Sequence, residues 1–251
     1  MEYNITDLPL IVSGSVVEIK MDGSIIAKSN EAKFADNRED ALKYLGSAER
    51  IGNDVLIADS INKRAIILNG NNEIIWEYDS DRYVVDFHLV PRERKTFEVR
   101  DDAVSPGIME LKAGSLVIWE NNSSQPISIY SGKTTYEQFM LDPDLDLYGE
   151  EFKSGVLQPG DRFIYRFVAA KIYDWFVYPT ILTGELNVYT SRVSTEDRYV
   201  ITESDNYESP FTSRVIKVDS WGNVLWTYGE GFLVKPRDAR PLLDEKVLIS
   251  T

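Results

Sequence analysis

Few side chains in this sequence can do acid–base or nucleophilic chemistry. The chain of 251 residues has one histidine, His88, and no cysteine, so thiolate catalysis and cysteine-based metal sites are excluded. His88 lies two residues after Asp86 in VDFHLVP, and an imidazole near a carboxylate can exchange protons near neutral pH. No nucleophile-elbow, zinc-protease or phosphate-loop motif accompanies it. We therefore predict a structural role for His88, no catalytic centre and no cofactor.

A second candidate is the acidic stretch LDPDLDLYGEE at residues 141–151. Alternating carboxylates at Asp142, Asp144 and Asp146 are of the type that binds hard cations such as Ca²⁺. The pattern of a calcium-binding helix–loop–helix fails, because Leu147 stands where that loop requires glycine and Lys153 where it requires glutamate. A solvated acidic loop is therefore the favoured interpretation, and a cation site is the alternative.

The charge of the chain excludes several partners. Its formal net charge is −14, which repels nucleic-acid phosphates and anionic lipid surfaces. No stretch approaches the roughly 18 apolar residues of a membrane span. The N-terminus MEYNITDLPLIVSG lacks the basic and apolar regions of a signal peptide. We expect a protein partner or self-association, and neither nucleic acid nor a membrane span.

Apolar residues alternate in short bursts bounded by turn residues, which predicts an all-β protein. An internal repeat is visible in RAIILNGNNEIIWEY at residues 64–78 and RVIKVDSWGNVLWTY at residues 214–228, with a weaker third copy, SVVEIKMDGSIIA, at residues 15–27. Each copy is predicted to form a hairpin, and Arg64 and Arg214 are predicted to make equivalent structural contacts. Another strand precedes each hairpin, giving a period of about 40–50 residues that is typical of propeller blades.

These repeats resemble NHL-like and quinoprotein-like β-propellers over residues 1–92 and 195–251. The residues hold about three blades, whereas propellers have roughly four to eight. Exposed sheet edges and an uncovered inner face promote association. We therefore predict a partial propeller that is completed by self-assembly or by another protein.

Residues 93–194 do not repeat and form a predicted insert. The runs SPGIMELKAGSLVIWENNS, FKSGVLQPGDRFIYRF and YDWFVYP resemble the cupredoxins of plastocyanin type. The resemblance implies a Greek-key sandwich with copper-ligand positions at Ile127, Val177, Thr180 and Thr183. A blue-copper site requires imidazole and thiolate donors, and none of these residues supplies one. We therefore predict that the fold is kept and the copper site is lost.

The same resemblance implies that the loop end of the sandwich is a docking face. Trp175, Tyr178 and Ile181 lie there and are candidate partner-binding residues; the alternative is that the aromatic residues alternate into the core. The expected function is a non-enzymatic structural or interaction subunit. Alternatives are an accessory subunit of a redox enzyme complex and a ligand-binding or sensing module at the former copper mouth. The resemblance also implies an extracytoplasmic or cell-surface location.

Overall fold

A computed structural model describes residues 16–19, 25–29, 31–33, 39–42, 44–141, 145, 148–190, 193–204, 212–242 and 245–251, with side chains from Leu42 onward. The chain divides into two compact units. Unit 1 comprises residues 1–49, 54–89 and 195–251, and unit 2 comprises residues 50–53 and 90–194. Each unit is described separately below.

The described elements are almost all strands, which confirms the all-β prediction. Before the second unit the strands are β1 (Val16–Ile19), β2 (Ile25–Ser29), β3 (Glu31–Lys33), β4 (Glu39–Ala41), β5 (Leu45–Ile51), β6 (Asp54–Asp59), β7 (Arg64–Leu68), β8 (Ile74–Asp79) and β9 (Tyr83–Leu89). Unit 2 holds β10 (Arg94–Val99), β11 (Val104–Ser105), β12 (Ile108–Lys112), β13 (Ser115–Asn121), β14 (Ser128–Ser131), helix α1 (Tyr136–Leu141), β15 (Arg162–Phe167), β16 (Ile172–Tyr178) and β17 (Leu182–Tyr189). The remaining strands are β18 (Arg198–Ser204), β19 (Arg214–Asp219), β20 (Val224–Tyr228), β21 (Asp238–Pro241) and β22 (Val247–Ser250).

Unit 1 contains two four-stranded antiparallel sheets with the same strand order. The first is β5-β6-β7-β8, and the second is β9-β18-β19-β20. Strands β21 and β22 form a two-stranded sheet, as do β1 with β2 and β3 with β4. The first two strands of the second sheet are separated in sequence by unit 2, yet they pair in an antiparallel ladder from Tyr199–Leu89 to Ser204–Tyr83. The sheet is therefore continuous across the insertion point.

The two complete sheets are equivalent in detail. Arg64 pairs with Asp59 across β6 and β7 at 2.8 Å, and Arg214 pairs with Glu203 at the same place across β18 and β19. Asp59 and Glu203 have no exposed surface, so each buried carboxylate has its charge met by a guanidinium. The predicted equivalence of the two arginines in structure is seen directly in these contacts.

One tryptophan joins the two complete sheets. Trp76 on β8 lies 5.4 Å from Phe87 and 4.6 Å from Tyr199, measured between ring centroids. Its indole Nε1–H donates a hydrogen bond to the backbone oxygen of Ser220 in the β19–β20 turn at 2.9 Å. The side chain is only 8% exposed, so it buries the face of the first sheet against the second.

Unit 2 is a sandwich of two four-stranded sheets. Their orders are β11-β10-β13-β15 and β12-β17-β16-β14. Strands β10 and β13 pair in parallel, as do β12 and β17, because consecutive strands cross between sheets as in a Greek-key sandwich. The sheets meet through Trp175, whose ring lies 4.7 Å from Phe97 and 5.6 Å from Trp119. This aromatic core gives unit 2 a hydrophobic interior of its own.

No helix among the described residues has the length and apolar character needed to cross a membrane.

We expect that Trp76→Ala strongly destabilises the protein, because it removes the aromatic contact between two sheets and leaves a cavity. Truncation of a buried tryptophan costs about 3–5 kcal/mol. The matched control is Trp221→Ala, because Trp221 is 68% exposed and surface changes usually alter stability by less than about 0.5 kcal/mol. Denaturant unfolding followed by circular dichroism measures both. Equal losses in the two variants would contradict the proposed role of Trp76.

Candidate functional site

The loop at the end of the sandwich is a tight turn. Strand β16 ends at Tyr178 and β17 begins at Leu182. The backbone N–H of Ile181 donates to the carbonyl of Val177 at 2.7 Å, and Ile181 adopts a positive φ of 54°. This turn closes the chain within a few residues and leaves little loop for a set of metal donors.

The positions that the resemblance assigns to copper ligands lie in different surroundings. Ile127 and Val177 are buried, whereas Thr183 is exposed and pairs with Phe176 on the outer face of its sheet. Because side chains alternate along a strand, Thr183 faces away from Val177. The structure therefore does not bring Thr183 together with the other positions. Thr180 lies in the turn, and its buried hydroxyl has no hydrogen-bond partner.

An aromatic cluster covers the outer face of this sheet. The buried members Phe139, Phe176 and Ile181 pack against Tyr130 and other partly buried residues. Helix α1 supplies Phe139, and the ring of Tyr130 stacks on Phe176 with centroids 5.6 Å apart. The cluster occupies this face of the sheet with apolar side chains and offers no strong metal donor.

The three candidate partner-binding residues differ in exposure. Tyr178 is 37% exposed, Ile181 is 8% exposed and Trp175 has no exposed surface. Trp175 faces inward at the centre of the core, where it passes so close to Gly184 on β17 that a Cβ there would collide with its indole ring. Trp175 therefore cannot contact a partner, in agreement with the alternative that strand alternation favoured. Tyr178 remains available at the surface.

A cleft of about 690 Å³ opens on the outer face of unit 2. Its lining includes Lys133, Thr135, Asp174, Thr183 and Glu185. The charges in this cleft are mixed, and none of these residues forms a catalytic constellation. The candidate cation residues Asp142, Asp144 and Asp146 lie outside the described residues.

A cluster of charged side chains in unit 1 surrounds His88. Its Nδ1 lies 3.1 Å from Glu49, and its Nε2 lies 3.1 Å from Asp86 and 3.3 Å from Asp238. These carboxylates come from β5, β9 and β21, so His88 links the first strands of three successive sheets. Asp86 also accepts a hydrogen bond from the backbone N–H of Ala239 at 3.0 Å.

Burial of His88 opposes its charge, but hydrogen bonds to Asp86 and Glu49 outweigh this effect and raise its pKa to about 10. Burial likewise opposes the charge of Asp86, and the hydrogen bonds from His88 and Ala239 lower its pKa overall. At neutral pH the histidine is therefore an imidazolium whose two N–H groups donate to carboxylates. This arrangement supports the predicted structural role.

Donor atoms of Asp86, His88 and Asp238 lie within 4.8 Å of one another, a spacing that could hold a metal ion. A metal ligand must be a neutral imidazole, and the raised pKa of His88 means that an ion at this cluster would have to displace a proton. Without such an ion, the imidazolium is the cation at the centre of the cluster. Sequence reasoning missed Glu49 and Asp238, although Asp238 stands in RDARPLL at the repeat position of Asp86 in VDFHLVP.

Comparison with known proteins identifies solved structures that are similar to part of this chain. No family model and no curated protein matches the chain. A purple cupredoxin from Nitrosopumilus maritimus shares 22% identity over 38% of this chain and 98% of its own, with a TM-score of 0.31. Reduced auracyanin from Roseiflexus castenholzii shares 15% identity over 39% and 98%, with a TM-score of 0.31. An amicyanin variant shares 15% identity over 37% and 79%, with a TM-score of 0.28.

These matched structures are cupredoxins, and each covers about two fifths of this chain or less. The sandwich in unit 2 is independently defined by the strand pairings given above.

The pKa of His88 yields a pH prediction. A histidine with a pKa of about 10 in the folded state and 6.5 when unfolded stabilises the fold fully below pH 6.5. This stabilisation declines as pH rises, by at most ~1.4 kcal/mol for each pH unit, and is lost above pH 10. The difference in unfolding free energy between the wild-type protein and His88→Gln should therefore be larger at pH 6.5 than at pH 9.5.

Because His88 is the single histidine of the chain, its imidazole signals in an NMR titration report the pKa without assignment. Glu49→Gln removes one carboxylate partner and should lower that pKa while leaving the fold intact. A pKa near 6.5 in the wild-type protein would show that the imidazolium does not link the three strands.

Proposed function

We propose that this protein is a non-catalytic structural or protein-interaction subunit, in which a copper-less cupredoxin-like sandwich is inserted into a partial propeller. The observation that most directly supports this proposal is the turn from Val177 to Ile181. Where a blue-copper site needs thiolate and imidazole donors, this end of unit 2 presents buried aliphatic residues, a threonine hydroxyl and a short turn. These residues therefore provide no ligand set for copper-based electron transfer.

The proposal treats the four-stranded sheets of unit 1 as propeller blades. Their common order, their equivalent arginine–carboxylate pairs and the tryptophan contact between them support this interpretation. Insertion of unit 2 between paired strands β9 and β18 leaves the blade ladder whole. Such insertion at a hairpin tip is well tolerated because it disturbs little buried backbone.

The proposal places the working surface at exposed apolar residues. At the loop end of unit 2, Tyr178 is partly exposed beside Phe139, with ring centroids 5.8 Å apart. Tyrosine at such a place provides contact area at a low entropic cost. In unit 1, the strand β20 is exposed along its whole length. We propose an extracytoplasmic location, following the resemblance of unit 2 to cupredoxins.

We expect no stoichiometric copper after the full-length protein is incubated with Cu(II), desalted and measured by native mass spectrometry and metal analysis. No visible charge-transfer band should arise, because the chain has no thiolate. Residual copper binding should disappear in His88→Gln if it reflects the single imidazole. One copper per chain that survives in His88→Gln would overturn the proposal, as would turnover of a substrate by the metal-free protein.

A further inference from the structure

Among the described residues, the sheet of β21 and β22 has two strands, whereas the two complete sheets of unit 1 have four each. Strand β21 stands in the place of β9 and β22 in the place of β18. Asp238 holds the repeat position of Asp86, and it pairs with Ser250 as Asp86 pairs with Thr202. In the complete sheets the second strand pairs with a third, as β18 does with β19 and β6 with β7. Within the described residues, β22 pairs with β21 alone, so no described strand meets the backbone hydrogen-bonding groups of its other edge.

The face that precedes this incomplete sheet is also uncovered. Trp226 stands at the repeat position of Trp76, yet it is 39% exposed where Trp76 is 8% exposed. Trp76 is covered partly by Ser220 of the β19–β20 turn, which belongs to the third and fourth strands of the next sheet. A cleft of about 800 Å³ lies beside Trp226, with Tyr228, Leu233, Val247 and Ile249 in its lining. Third and fourth strands beside β22 would cover it.

The chain itself carries a hairpin of the required kind. Strands β1 and β2 form a separate two-stranded antiparallel sheet. Its ladder shifts register between Glu18 and Ile19, and the third-to-fourth-strand hairpins shift at the equivalent places, between Ile67 and Leu68 and between Lys217 and Val218. The sequence repeat and the backbone irregularity therefore both identify β1–β2 as a third-and-fourth-strand hairpin.

We propose that the β1–β2 hairpin of a second copy of this chain adds to the free edge of β22 and completes the third sheet, with the reciprocal exchange closing a two-fold symmetric dimer. This inference rests on the proposed function and names the partner. Closure within one chain would give three blades from the strands that the structure describes, below the range of roughly four to eight that propellers have. Two chains give six, from two complete sheets in each and two shared ones.

The repeat fixes the register of the new ladder. In the second sheet Tyr199 pairs with Val218 and Ile201 with Ile216. Transferring this pairing places Val247 opposite Ile19 and Ile249 opposite Val17 of the second copy. Because a shift of one residue reverses the face of every side chain, this register is a specific prediction. The net charge of −14 on each chain opposes association, so dimer affinity should rise with salt.

The test uses engineered cysteines, because the natural chain has none. Full-length Val17→Cys and Ile249→Cys variants with different tags are mixed, mildly oxidised and analysed by non-reducing electrophoresis and mass spectrometry. Directly opposed residues in an antiparallel ladder have Cα atoms about 4.5–5.5 Å apart, within the range of disulfides. We expect a disulfide between the two tagged chains. The matched control mixes the Glu18→Cys and Ile249→Cys variants. The proposed register places these two positions on opposite faces of the sheet, so far less disulfide should form between the chains.

Native mass spectrometry of the unmodified protein should show a dimer. A Val17→Cys and Ile249→Cys double variant that links only within one chain would overturn the proposal in favour of closure by a single chain. A monomer without cross-links would overturn it as well. Neither result bears on the copper measurement, so failure of this dimer and failure of the proposed non-catalytic function are distinguishable.

Discussion

The contact of Trp76 with Phe87 and Tyr199 is the interaction on which the arrangement of unit 1 depends. A β-sheet that is apolar on both faces must be covered on both, and here the next sheet along the chain provides the cover. The indole fills this space, and its N–H donates to the carbonyl of Ser220. Trp76 therefore contacts the first two strands of the following sheet and its β19–β20 turn. Trp226, at the repeat position of Trp76, is 39% exposed, and the described sheet of β21 and β22 has only two strands.

The same dependence explains how a whole unit can be inserted. The insertion separates β9 from β18 in sequence but preserves their ladder, and it therefore preserves both rings that contact Trp76. Closing a longer loop costs little additional entropy. In unit 2, burial of the aromatic core around Trp119 and Trp175 offsets the conformational entropy that the unit loses on folding. Each unit therefore has a separate source of stability.

The sequence predicted what depends on local periodicity and on repetition. Strand alternation and the paired copies at residues 64–78 and 214–228 predicted the hairpins, and the arginines recurred in equivalent pairs. It did not predict the partners of His88, because Glu49 and Asp238 lie 39 and 150 residues away and meet it through sheet packing. It also did not predict that Thr183 pairs with Phe176 on the outer face of its sheet, because the face of a residue after a turn depends on the length of that turn.

The turn from Val177 to Ile181 connects these observations to function. In a metal site, the protein holds donors whose mutual repulsion and desolvation are offset by the ion. At this end of unit 2, Ile127 and Val177 carry aliphatic side chains that are buried, so they stabilise the sandwich by packing. Under the proposed function, a scaffold that no longer binds copper is therefore free to serve as a rigid support for contacts, while unit 1 provides the exposed strand through which contacts are made.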